Sequence, residues 1–203
     1  MNPEPKLVAI VGGSGAGKSW LADRLQQAFS GKAARLSLDD FYHDLSGLPR
    51  SRRTRVNFDH PSAVDWPRLE TALRACRSSR SVGVPRYDFT THTRSSNSRR
   101  WTPQRLVFVD GLWLLHRREI RSLFDLTIFV ACPTQVRLER RLARDIAERG
   151  RTADSVREQF RTTVAPMHDR YVAPQERRAE IVLKHPAGER EIENLLAKIC
   201  SLL

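Results

Sequence analysis

Cysteine, lysine and long apolar runs are scarce in this chain of 203 residues, and each shortage removes a class of protein. The thiols Cys76, Cys132 and Cys200 are odd in number and widely spaced, which argues against a disulfide framework or a zinc site and leaves them as buried or incidental groups. No apolar stretch approaches the roughly 20 residues of a membrane span. The opening Met1-Asn2-Pro3-Glu4-Pro5 carries no signal-peptide pattern, so the expectation is a cytoplasmic protein without a membrane partner. Lysine is limited to Lys6, Lys18, Lys32, Lys184 and Lys198, so arginine carries the formal net charge of +12 and gathers around positions 137–151. Aromatic residues are not interleaved with that basic stretch as a base-stacking platform requires, and no nucleic-acid partner is expected.

The most specific string present is Gly12-Gly13-Ser14-Gly15-Ala16-Gly17-Lys18-Ser19, which fits the phosphate-binding pattern G-x-x-x-x-G-K-[ST]. Glycines let successive backbone N–H groups turn inward around a polyphosphate, Lys18 neutralises the β- and γ-phosphates, and the Ser19 hydroxyl reaches Mg²⁺. The flanks agree: Leu7-Val8-Ala9-Ile10-Val11 reads as a buried strand, and Trp20, Leu21, Leu25 and Phe29 recur at helical spacing. A helix starting there aims its positive end at the phosphates. ATP or another nucleoside triphosphate, with Mg²⁺, is the expected ligand.

Four more apolar segments, at 33–38, 106–109, 126–130 and 181–183, read as strands, and helices are expected at 67–77, 134–148, 153–164 and 189–203. Strands alternating with helices imply an α/β fold, a five-stranded parallel sheet covered by helices on both faces. The second strand runs to Asp39-Asp40, where strand ends in such sheets bind ligands, and if it continues as a strand Asp40 points away from Asp39. Residues 43–55 lack periodicity and read as an exposed connection. Two extended pieces around a polar tip, within 82–105, suggest a small β-hairpin. The whole, 1–203, is expected to be one domain.

Taken in order, the phosphate loop, Ser37-Leu38-Asp39-Asp40-Phe41-Tyr42, Asn57-Phe58-Asp59-His60-Pro61, Pro85-Arg86-Tyr87-Asp88-Phe89, His92-Thr93-Arg94 and the stretch from Arg141 through Arg151 resemble the uridine kinase family of P-loop kinases. The resemblance implies transfer of the γ-phosphoryl group of ATP to the 5′-hydroxyl of uridine, with cytidine as a further acceptor. It implies Asp39 as the carboxylate that accepts the hydroxyl proton, in contact with the substrate, and Asp59 as the ribose ligand. Tyr42, Phe58, Tyr87 and Phe89 then line the nucleoside pocket, and His92 meets the polar edge of the pyrimidine. Arg141, Arg151 and Gln159 correspond to substrate-side residues. Asp110 corresponds to the carboxylate that holds Mg²⁺ with Ser19, although the family usually has Glu-Gly where this chain has Asp110-Gly111; orienting Asp39 or the attacking hydroxyl is an equal alternative.

The arginine-rich stretch looks like the mobile lid of these kinases, at about 137–164. Lys18 and Arg144 are expected to serve the transfer itself, Arg144 and Arg149 to reach the triphosphate, and Arg137 and Arg140 to be structural. Asp145 is expected to pair with neighbouring arginines. Two alternatives stay open: a related P-loop kinase acting on nicotinamide riboside, pantothenate or ribulose phosphate, and a non-catalytic protein that binds a triphosphate or a nucleic acid. A homo-oligomer is compatible with the resemblance.

Overall fold

A computed structural model describes residues 4–203. Strand β1 (Lys6–Gly12) leads through the glycine loop into α1 (Lys18–Ala28), and β2 (Ala33–Ser37) leads into a 3₁₀ turn, Leu38–Phe41. A one-turn helix α2 (Arg50–Arg53) and α3 (Trp66–Arg77) precede four short strands, β3 (Val82–Val84), β4 (Tyr87–Asp88), β5 (Thr93–Arg94) and β6 (Arg99–Trp101). Then follow β7 (Leu106–Gly111), α4 (Arg118–Arg121), β8 (Leu126–Ala131), α5 (Thr134–Arg149), α6 (Ala153–Gln159), α7 (Ala165–Met167), β9 (Ile181–Lys184) and α8 (Glu189–Cys200).

The main sheet has the order β2-β7-β1-β8-β9, and every pairing in it is parallel. Its central strands are apolar without alternation because both faces are covered. On one face Leu7, Ala9, Val11, Val107 and Val109 pack with Leu69 and Leu73 of α3 and with Trp113. On the other, Val8, Ile10, Phe108 and Ile128 meet Leu21 and Leu25 of α1 and Ile192, Leu195 and Ile199 of α8. The fold is therefore the α/β architecture expected, and its parallel strands bring the loop after β1, the turn after β2 and the end of β7 to one edge.

Four local departures from the sequence reading have physical causes. The second strand stops at Ser37 because its Oγ accepts a hydrogen bond from the Asp39 N–H at 3.3 Å and opens a 3₁₀ turn, so strand alternation does not separate Asp39 from Asp40. The hairpin is two ladders, β3 with β6 and β4 with β5, since Pro85 supplies no N–H to continue a single one. The Trp101 indole N–H donates to the Arg35 carbonyl at 3.1 Å and fixes this unit to β2. Helical structure after Gly150, whose φ of 61° ends α5, does not stop at 164 but runs to Arg178. Within it lie two wide turns, Phe160–Val164 and His168–Val172, closed by i→i−5 bonds from Ala165 and Ala173. Each lies beside a proline, Pro166 or Pro174, that cannot donate to the ordinary ladder. The last helix ends at Cys200 instead of 203. Among the described residues no helix is long and apolar enough to cross a membrane.

Gly111 links core to site. A Cβ there would lie 2.5 Å from the Leu38 Cβ and 2.8 Å from its Cδ2, and Leu38 is the buried residue just before Asp39. Gly111→Ala should cost about 1–3 kcal/mol through overpacking, read as a lower denaturant midpoint with unchanged slope.

Candidate active site

The turn after β1 is set by glycine. Gly15 and Gly17 have φ of 80° and 100°, and a Cβ on Gly15 would come within 2.5 Å of the Arg137 carbonyl oxygen. Gly17 is the N-cap of α1, so the loop closes onto the positive end of that helix. Lys18 Nζ donates to the Gly13 carbonyl at 2.9 Å. Burial foremost, with Arg144 and Arg137 adding to it against Asp39 and Asp110, lowers the Lys18 pKa.

This loop forms one end of a cavity of about 750 Å³. Asp39 and Asp110 face it beside Ser14, Lys18 and Ser19. Asp110 is 3% exposed; its Oδ2 accepts from Ser19 Oγ at 3.1 Å and its Oδ1 from Arg35 Nε at 2.9 Å. Arg35 also bonds Asp23 at 2.6 Å. Asp39 is pushed up to about 6, first by burial and then by the neighbouring Asp110 charge, against the pull of Lys18. A hydroxyl and a carboxylate beside a phosphate loop are a hard-oxygen pair suited to Mg²⁺. Among the described residues no group of three or more His, Cys, Asp or Glu could hold a metal by itself. Asp40 lies outside the cavity.

At the other end the walls are aromatic. Tyr42, Phe58 and Phe89 line the space, with Tyr42 edge-on to Phe58 and Phe89 at centroid distances of 5.7 and 6.2 Å. The Tyr42 hydroxyl donates to the Phe58 carbonyl at 3.2 Å. His92, at a left-handed φ of 56°, stacks on Phe58 with centroids 4.4 Å apart and planes 15° apart. Its Nδ1 is buried without a protein partner, and burial followed by the Arg149 charge lowers its pKa, which favours the neutral ring. Asp59 lies between these rings and the arginines; burial raises its pKa while Arg141 and Arg144 oppose that rise. Tyr87 corrects the sequence reading: it does not line the cavity but packs behind Tyr42, centroids 5.4 Å apart.

Helix α5 roofs the cavity. Arg141 is 5% exposed and donates to Ser14 Oγ at 2.9 Å and to Gln159 Oε1 at 3.0 Å; Arg151 donates to the same oxygen. Asp145 is fully buried, with Arg144 at 2.8 Å, Arg149 at 3.4 Å and Arg141 at 3.5 Å, so one carboxylate gathers three arginines. The Arg149 guanidinium lies 5.2 Å from the Phe89 ring centroid, joining the roof to the aromatic wall.

Sequence reasoning missed two residues here. Arg140, expected to be structural, bonds the Gly15 and Ala16 carbonyls at 3.4 and 3.3 Å and approaches His185 Nδ1 at 3.4 Å. It lines the main cavity and an adjoining one of about 440 Å³, bounded by Ala16, Leu21, Val130, Leu183 and the turn after β9. Trp20, 57% exposed, lines both as well. The i, i+4 spacing of Arg140 with Arg144, and a bulky apolar residue immediately after Ser19, were the available signals. Arg137, also expected to be structural, is 1% exposed and outside the cavity.

Comparison with known proteins gives a consistent result. The profile of the phosphoribulokinase / uridine kinase family matches residues 7–190. The uridine kinase of Deinococcus deserti is 38% identical over 197 residues, covering 96% of this chain and 95% of that protein. The uridine kinase of Tolumonas auensis is 36% identical over 210 residues, covering 100% of this chain and 97% of that protein. Phosphoribulokinase of Rhodobacter spheroides superposes with a TM-score of 0.66 at 17% identity, covering 89% of this chain and 70% of that one, a likeness of fold.

The raised pKa of Asp39 has a consequence for stability. Because the folded state holds that proton more tightly than the unfolded chain, ionised Asp39 opposes folding; the opposition is absent below the ordinary carboxylate range and complete above about pH 6. Thermal melts of the ligand-free Asp39→Asn variant should show a higher midpoint than wild type at pH 8, with the advantage shrinking towards pH 4. A lower midpoint at pH 8 would mean that pairing with Lys18 outweighs desolvation.

Proposed function

The chain belongs to the phosphoribulokinase/uridine kinase family, and on that premise we propose that it phosphorylates the 5′-hydroxyl of uridine, and of cytidine as a second acceptor, using ATP. The observation that carries this reading is one cavity with a phosphate loop and two carboxylates at one end and rings, an imidazole and a carboxylate at the other. Planar walls suit a base better than they suit a sugar phosphate or pantothenate, and the 36–38% identical relatives named above are uridine kinases.

In this reading Asp59 accepts hydrogen bonds from the ribose hydroxyls, while Phe58 and Phe89 enclose the pyrimidine and neutral His92 meets its polar edge. Held there, the 5′-hydroxyl lies near Asp39, and its oxygen attacks the γ-phosphorus as Asp39 takes its proton. The new O5′–P bond forms as the bond to the β,γ-bridging oxygen breaks, with its electron pair leaving on ADP. Lys18, Arg144 and Arg149 neutralise the phosphates, and Arg141 and Arg151, braced by Gln159, border the acceptor. Ser19 and Asp110 would hold Mg²⁺, which when bound screens the phosphate charges. Asp110, bonded to Arg35, is also placed to keep Asp39 from ionising too easily.

The adjoining cavity between Trp20, Arg140 and the 185–187 turn takes the donor base. Residues 1–203 act as one domain, with 82–105 carrying the acceptor walls and 137–164 as a lid that excludes water. The product returns a free pyrimidine nucleoside to the nucleotide pool, a salvage reaction of the cytoplasm where ATP is present.

ADP release coupled to a reporter, across nucleosides, sugars and pantothenate, should respond to uridine and cytidine; a response only to another acceptor overturns the substrate. Asp39→Asn should lower kcat by at least about 100-fold while ATP still binds. Since Asp39 must be ionised to accept the proton, kcat/KM for uridine should be flat above about pH 6 and fall about tenfold per pH unit below it. An acid limb centred near pH 4 would contradict the raised value of Asp39.

A further inference from the structure

The loop at residues 12–19 has cations on both of its sides. Lys18 reaches round its inner side to the Gly13 carbonyl, and Arg137, from the first turn of α5, lies against its outer side. A Cβ on Gly13 would be 2.8 Å from Arg137 Nη1, and one on Gly15 would touch the Arg137 backbone. Only loop backbone therefore separates the guanidinium from the phosphate end of the cavity.

Arg137 is among the most deeply buried side chains of the chain, at 1% exposed. Its Nη2 donates to Thr134 Oγ1 at 3.2 Å and its guanidinium lies 5.7 Å from the Phe160 ring centroid, but Nε and Nη1 have no protein partner. Among the described residues it forms no salt bridge, in contrast to Arg141, Arg144 and Arg149, which share Asp145. The adjacent polar group, His168, offers no negative charge, since burial and then Arg137 itself hold its pKa down to about 4, and Asp169, whose charge reaches Arg137, only partly offsets the burial that lowers the Arg137 pKa. Taking a cation out of water without a paired carboxylate costs several kcal/mol, and close-packed like charges raise that cost. A packing role alone would be met better by an apolar chain.

We propose that Arg137 is a positioning residue for the phosphate donor: a buried cation left unpaired by the protein and neutralised, across the loop backbone at Gly13, by the triphosphate bound inside the loop. Its charge holds the loop and the polyphosphate together without touching the ligand, while Lys18 and the roof arginines make the direct contacts. The inference rests on the ATP-dependent reading above.

The test uses the full-length protein and three forms, wild type, Arg137→Met and Arg137→Lys, with ATP as the probe in calorimetric binding and thermal melts. Arg137→Met, which keeps bulk and removes charge, should have a ligand-free midpoint equal to or above wild type, an ATP Kd raised about tenfold, and a uridine KM within about twofold of wild type. Arg137→Lys should keep ATP affinity within about threefold. ATP binding by Arg137→Met equal to wild type overturns the proposal, as does a ligand-free midpoint that falls in Arg137→Met or a failure of that variant to fold, since a cation retained for its ligand is not needed for folding. Absence of any ATP-induced shift in wild type would instead defeat the kinase reading itself, before the variants are compared.

Discussion

A polyphosphate site must gather cations that repel one another, and the rest of this structure is arranged around that repulsion. Lys18 and Arg137 face each other through the phosphate loop, and Arg140, Arg141, Arg144 and Arg149 descend on it from α5. Carboxylates are distributed to make this tolerable without cancelling it. Asp145, fully buried, draws three arginines into one cluster, and Asp110 is held by Arg35 and Ser19 at the sheet edge. Asp39, buried and then crowded by Asp110, holds its proton to about pH 6 against the pull of Lys18. The balance leaves a net positive basin that accepts triphosphate and a carboxylate whose basicity suits proton abstraction near neutral pH.

The sheet makes this arrangement possible. Parallel strands place the loop after β1, the turn after β2 and the end of β7 side by side, and the tight approach of Gly111 to Leu38 fixes the turn that carries Asp39. On the acceptor side, rings take over from charges. Arg149 lies on Phe89 and also contacts Asp145, so the aromatic wall and the cationic roof are mechanically joined. In the proposed reaction, filling the aromatic end and closing the arginine end are thus one event, which limits hydrolysis of ATP when no acceptor is present.

The sequence made the frame legible because buried parallel strands are continuous apolar runs and the phosphate loop is spelled by function. Gly12 to Ser19 and the five strands were readable on those grounds. Contacts made across the chain were not. The turn at Leu38–Phe41 depends on a single Ser37 hydroxyl, the helical run past 164 on two prolines within it, and the position of Tyr87 behind Tyr42 on packing from three separate segments. Arg137 and Arg140 look alike in sequence, three residues apart in one basic helix, yet one is buried under the loop and the other lines two cavities. Only the rotation of α5 against the loop tells them apart.

In the proposed reaction the γ-phosphoryl group crosses from the loop to a nucleoside 5′-oxygen held at the aromatic end. Phosphorus NMR of the products from ATP and uridine tests it most directly. One new phosphomonoester is expected, coupled to the C5′ protons of uridine and formed in equal amount with ADP. ADP appearing beside unmodified uridine, or phosphate on the 2′- or 3′-oxygen, would contradict it.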